Sequence, residues 1–218
     1  MKTSSLVILV IVGFLILVGG CMGCGAISLQ KRAVGLEENV RGRWADVQAE
    51  YQRRSDLIPN LVSTVRGEAN FERGTLNDVI NARARASSMQ INPENLTAEN
   101  FQQFQQAQAQ LSGALSRLLV TVEQYPNLRA NEGFRSLQVQ LEGTENRIKV
   151  SRRDFNQATQ DYNTTIRTFP NNFYAGFLGF AEKPYFEADP GTQNAPNVDF
   201  SEQQAPPRTP PVNLDTIR

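Results

Sequence analysis

Arg53, Arg54 and Asp56 stand within four residues of one another, just before Pro59. Two guanidinium groups beside a carboxylate could grip an anionic ligand. They could equally pair with acids on neighbouring helices and hold those helices in register. The second reading fits the pattern better. Arg54 occupies a step of an apolar stripe, between Tyr51 and Ile58, where a side chain must face other helices. Glu123, Glu145 and Asn163 are the candidate partners of such a polar network.

Other residue types with chemical potential fare worse. The chain contains no histidine. That removes Ser-His and Cys-His nucleophile pairs, histidine metal sites and the commonest general base near neutral pH. Glu68 and Glu72 are four apart, and Glu142 and Glu145 three apart, so each pair could share a helix face. A dimetal bundle uses such glutamates but also needs Glu-x-x-His motifs, which are absent. Lys149 and Ser151 are two apart, so on a helix they point in different directions and make a poor dyad. Arg152 and Arg153 read as surface charge. No catalytic residue, cofactor site or metal site is expected.

Both cysteines, Cys21 and Cys24, sit at the end of an apolar N-terminal segment, so the rest of the chain has neither thiol nor disulfide. From Leu6 to Ile27 there is no charge. As a helix these residues would extend about 33 Å, enough to cross a hydrocarbon core of roughly 30 Å. Residues 1–27 are therefore expected to anchor the chain to a lipid bilayer. Val18-Gly19-Gly20-Cys21 also resembles a bacterial lipobox, which would make Cys21 a lipidation site and export the rest as an envelope lipoprotein. Against this, Lys31, Arg32, Arg41 and Arg43 follow the segment, and such a bias favours the cytoplasmic side. A single-pass transmembrane helix, most simply in a bacterial inner membrane, is the preferred reading, with orientation open. Formal charges balance at 22 of each sign, which gives no field to attract nucleic acid.

The elements that position these residues are helical. Apolar residues recur at threes and fours from Leu36 through Trp44, Tyr51, Ile58 and Val65, continuing at Leu76, Val79 and Ile80. This predicts one long helix over Ala33–Ser88, kinked near Ser55–Pro59. Asn92-Pro93 marks a break, with Thr97 available as a cap. A second helix runs to about Gln124, with Phe101, Phe104, Leu111, Leu115, Leu118 and Val122 on one side. A third runs from about Asn131 to Phe169, and Pro170 closes it. Phe173, Phe177 and Phe180 could form a fourth, short helix capping the bundle end. The pattern fails from Pro184, and six of the eleven prolines lie between Pro190 and Pro211. The expected architecture is all-α. It comprises an anchor over 1–27, an antiparallel bundle of three long helices over 28–183, and a proline-rich, disordered or extended tail over 184–218.

Tyr51-Gln52-Arg53-Arg54-Ser55-Asp56-Leu57-Ile58-Pro59-Asn60-Leu61-Val62 resembles the hallmark of the LemA family of bacterial membrane proteins. Ala82-Arg83, Leu111-Ser112-Gly113-Ala114-Leu115, Glu123-Gln124-Tyr125-Pro126-Asn127-Leu128 and Leu141-Glu142-Gly143-Thr144-Glu145-Asn146-Arg147-Ile148 follow in the same order. The resemblance extends from Leu36 to Phe200. It implies an N-terminal membrane segment, a bundle of long helices, and neither an established enzymatic activity nor a cofactor. The function expected is a membrane-anchored scaffold or adaptor that works through contacts with unknown protein partners.

Overall fold

The computed structural model describes residues 3–68, 71–93 and 96–187, apart from the side chains at 3–9, 18 and 21–24. Six helices follow in order: α1 Thr3–Arg66, α2 Arg73–Ser88, α3 Ala98–Val122, α4 Pro126–Ala130, α5 Glu132–Arg167 and α6 Asn171–Leu178. There is no strand among the described residues. The caps follow local chemistry. The Thr97 hydroxyl accepts from the Asn100 amide at 3.2 Å, and the Asn131 carbonyl oxygen accepts from the Phe134 amide at 3.1 Å. Gly179, at φ 78°, ends α6 in the left-handed conformation that glycine reaches without strain.

The helix expected over Ala33–Ser88 is two helices. α1 stops at Arg66, and the chain turns through Gly67 to Glu72 before α2 folds back along it. Both flanks keep helical phase, so periodicity runs through the break unnoticed. Phe71, 7% exposed, pins the turn against Tyr125 with ring centroids 5.0 Å apart. Glu68 and Glu72 consequently flank a turn and share no helix face.

Pro59 sits inside α1, which stays helical through it. A proline has no N–H, so the carbonyl four residues back, that of Ser55, loses its helical donor. Arg83 of α2 fills the gap: its Nε donates to the Ser55 carbonyl at 2.8 Å. Beside it, the Ser55 and Ser87 hydroxyls lie 2.8 Å apart. The defect in one helix thus becomes the docking point of the next. Arg83→Ala is expected to cost about 1–3 kcal/mol, the typical cost of stranding a buried acceptor. Pro59→Ala restores the missing donor, so in that background the loss should shrink. Thermal melts of the four proteins in detergent decide it; an equal loss in both backgrounds would mean Arg83 acts elsewhere.

α1 and α5 run antiparallel over most of their shared length. Glu50 meets Arg147, Arg54 meets Glu145, and Glu37 meets Lys183 beyond the end of α5. α2 packs antiparallel to α3, and α3 runs parallel to α1, with Trp44 beside Phe101 and Arg54 beside Gln108. The buried apolar residues form two clusters. One gathers around Trp44, Phe101, Phe155 and Tyr162; the other joins Ile58, Leu61, Val79, Leu111, Leu118 and Phe134. Burying such side chains supplies most of the folding free energy, about 1.5–3 kcal/mol for each large one.

Among the described residues no helix is long and apolar enough to cross a membrane. The expected anchor over 1–27 lies partly outside them: Met1 and Lys2 are not described, nor are the Cys21 and Cys24 side chains. In the described part, every large apolar residue from Val10 to Leu17 is between 45% and 71% exposed, on a helix that continues without interruption into the bundle. Residues 188–218 of the expected tail also lie outside the described residues.

Candidate functional site

The two apolar clusters meet at a polar layer built around Arg54. This side chain is 3% exposed, and it points from α1 between α3 and α5. Its Nη2 donates to Gln108 Oε1 at 2.6 Å; its Nη1 donates to Ser112 Oγ at 2.8 Å and to Glu145 Oε2 at 3.3 Å. The guanidinium carbon lies 5.0 Å from the centroid of the Tyr51 ring. Burial lowers the Arg54 pKa from its ordinary value, while Tyr51 and Glu145 push it back up. The group remains charged, since arginine is not deprotonated in proteins. One arginine therefore ties three helices through an amide, a hydroxyl and a carboxylate. A second tie lies nearby: Arg147 Nε donates to Glu50 Oε2 at 2.9 Å and its Nη2 to the Thr144 hydroxyl at 2.9 Å.

The other residues singled out by the sequence are not brought into this layer. Arg53 and Asp56 are exposed, and Asp56 accepts from Gln52 Nε2 at 2.7 Å on its own helix. Glu123 is exposed at the C-terminal end of α3. Asn163 is buried but belongs elsewhere: its side-chain amide donates to the Lys183 carbonyl at 2.8 Å and accepts from the Lys183 amide at 2.9 Å. Cys21 lies outside the described side chains.

Asn163 is one half of a clamp that the helical pattern does not reveal. Asn156, two turns earlier on α5, makes the same pair of bonds to Phe186, at 3.0 Å and 2.8 Å. The Tyr162 hydroxyl, between them, donates to the Ala181 carbonyl at 3.1 Å. Its pKa is raised to about 12 by burial and then by Glu37, so it keeps its proton at any physiological pH. Lys183 closes the set, with Nζ 2.9 Å from Glu37 Oε1. The segment after α6 is thereby laced along α5 in an extended form, and Phe186 enters the core. Its ring lies 4.6 Å from Phe101, 5.5 Å from Phe155 and 6.2 Å from Trp44, with the Arg152 guanidinium 4.8 Å away. Arg152 thus covers an aromatic ring and is half-buried, while Arg153 is exposed.

The short fourth helix forms, but it does not cap the bundle with its phenylalanines. Only Phe180 packs against the core; Phe173 and Phe177 are 65% and 89% exposed, and Phe169 in the preceding turn is 81% exposed.

Chemically the arrangement binds helices together and offers little else. Among the described residues no cluster of three or more His, Cys, Asp or Glu could hold a metal. The Ser151 hydroxyl donates to the Ile148 carbonyl at 3.0 Å and faces no base. A cleft of about 340 Å³ between α1, α2 and α3 is lined by Gln48, Tyr51, Gln52, Ser55, Ser87 and Gln108 among others. Its polar groups are amides and hydroxyls, which can donate and accept hydrogen bonds but cannot move a proton near neutral pH.

With this geometry in hand, comparison with known proteins is informative. The sequence profile of the LemA family matches residues 43–200. Magnetosome protein MamQ 2 of Paramagnetospirillum magneticum is 25% identical over 176 residues, covering 72% of this chain and 64% of that protein. Magnetosome protein MamQ of Magnetospirillum gryphiswaldense is 23% identical over the same shares. Protein LemA of Metamycoplasma hominis is 23% identical over 142 residues, 65% of this chain and 61% of that protein. The chain thus spans 61–64% of the length of these curated relatives.

Proposed function

This chain belongs to the LemA family, and from that premise we propose that it is a membrane-anchored helical scaffold, without enzymatic activity, that works through protein–protein contacts. The observation that carries the reading is the continuity of α1. A single helix presents exposed apolar residues from Val10 to Leu17 and then, without a break, the buried stripe of the bundle. Exposed apolar surface of that extent is costly in water and free in lipid. The names of the relatives are compatible with a bacterial assembly role, and the polar layer around Arg54 favours one fixed arrangement of the helices over any turnover.

The membrane half of the proposal predicts that the full chain stays with membranes through alkaline carbonate extraction. Ile11→Arg with Leu15→Arg, each expected to cost about 2.5–3.5 kcal/mol in a bilayer centre, should release it. Extraction of the native chain by carbonate alone would overturn the membrane reading. The scaffold half is tested by a photoreactive residue in place of Val120 or Val139, which are 62% and 67% exposed on the bundle. Crosslinking in intact membranes should give a discrete adduct with another protein. Adducts with lipid or with a second copy only would overturn the scaffold reading.

A further inference from the structure

The exposed phenylalanines of α6 stand at a particular level of the molecule. α6 has two faces. Ala175 is buried, and Tyr174 and Leu178 pack on the Trp44 cluster. Phe173 and Phe177, one turn apart, face outward, joined by Phe169 of the turn that leads in. No charged residue occurs from Asn171 to Leu178. Monomeric proteins seldom leave three phenylalanines grouped and open to water, so this face is built for an apolar or half-apolar environment.

The position of the helix says which environment. α6 touches α1 at Gly25, where an added Cβ would lie 3.0 Å from the Tyr174 hydroxyl. Gly25 belongs to the uncharged stretch from Leu6 to Ile27. The midpoint of that stretch falls between Ile16 and Leu17, so at about 1.5 Å per residue Gly25 lies roughly 13 Å along the helix from it. Half of a hydrocarbon core is about 15 Å. The α6 contact therefore coincides with the edge of the hydrocarbon. Lys31 and Arg32, both exposed, follow at the height where phosphate headgroups would begin.

We propose that α6 is a second membrane contact, lying in the bilayer interface with Phe169, Phe173 and Phe177 seated at the boundary between headgroups and acyl chains. The inference rests on the anchoring of α1 proposed above. Short amphipathic helices with phenylalanine on the apolar face bind this boundary through their buried area, and the neighbouring basic pair suits an anionic surface. Because α6 is also held to α5 by a short turn and to α1 at Gly25, its seat would fix the tilt of the bundle against the membrane. A protein partner on the same face would have to sit among the headgroups, which makes lipid the simpler occupant.

The native chain supplies a built-in reference, because its one tryptophan, Trp44, is fully buried in the core. Three variants of the full chain are reconstituted into phosphatidylcholine–phosphatidylglycerol vesicles, with or without bromine on the upper acyl chain. Val12→Trp reports the anchor, Phe177→Trp reports α6, and Val139→Trp reports the bundle far from α6. The expected result is loss of the added tryptophan's emission in brominated vesicles for Val12→Trp and Phe177→Trp, with Val139→Trp unchanged. Quenching of Val12→Trp alone would overturn the α6 contact and leave the anchor standing. Quenching of neither would sink the anchor reading and the α6 contact with it. Quenching of all three would overturn the proposal in favour of a bundle lying flat on the membrane.

Discussion

Phe186→Ala is expected to lower the stability of the bundle by about 3–5 kcal/mol, the usual cost of truncating a buried phenylalanine. At roughly 2–4 °C per kcal/mol for a chain of this size, the melting temperature should fall by some 6–20 °C. The size of the effect follows from where the ring sits. It fills the space between Trp44, Phe101 and Phe155, which come from three different helices, so no single helix can shift to close the void. Tyr185→Ala is the internal control. It lies one residue earlier but is 41% exposed, and its loss should fall within about 0.5 kcal/mol. Circular dichroism melts of the full chain in mild detergent measure both. Equal, small losses would mean that the segment after α6 rests on the bundle without supporting it. Asn156→Ala tests the same idea from the other side, since it leaves the ring in place and removes the two bonds that orient it.

The second large effect is expected at Arg54, and it should be lopsided. Arg54→Ala removes the donor to Gln108 and Ser112, empties a long side chain from the centre of the bundle, and leaves Glu145 without its ion pair. Stranded buried acceptors cost about 1–3 kcal/mol each, so a total of about 3–5 kcal/mol is expected. Glu145→Ala is different. The Glu145 side chain is 43% exposed, so its attraction for Arg54 is screened, and the guanidinium keeps its amide and hydroxyl acceptors. A loss of about 1 kcal/mol is expected. The double mutant should lose less than the sum of the two single changes, by the coupling of a direct pair. Should Glu145→Ala cost as much as Arg54→Ala, charge neutralisation rather than the amide and hydroxyl bonds would be what holds the layer together.

These two sites also mark the limits of reading the sequence. The place of Arg54 in an apolar stripe is enough to bury it, and Glu145 is then within reach, because helical periodicity reports which face of a helix is covered. Thr97 and Asn131 announce helix starts for a similarly local reason: their side chains replace a missing backbone partner. Phe186 escapes the pattern. It lies in an extended segment held by side-chain-to-main-chain bonds, and such bonds leave no period in the sequence. Asn163 shows the same limit from the other direction. Its residue type says that it will be bonded when buried, but not that its partner is the backbone of Lys183 rather than an arginine. The turn at Gly67 is hidden for a third reason. The helices on its two sides are each amphipathic, and one stripe passes smoothly into the next.

The unbroken course of α1 has a consequence for scale. Residues 28–66 rise about 1.5 Å each, so on the proposed anchoring the turn at Gly67 stands roughly 58 Å above the bilayer. A protein caught near Arg66 or Glu68 would be presented at a set altitude, beyond the reach of most small domains sitting on the lipid, and one caught near Glu37 would be held close to the surface. With α5 braced along α1, that altitude changes little with thermal bending. The chain behaves as a graduated post, on which the place of binding along the helix sets the distance from the membrane.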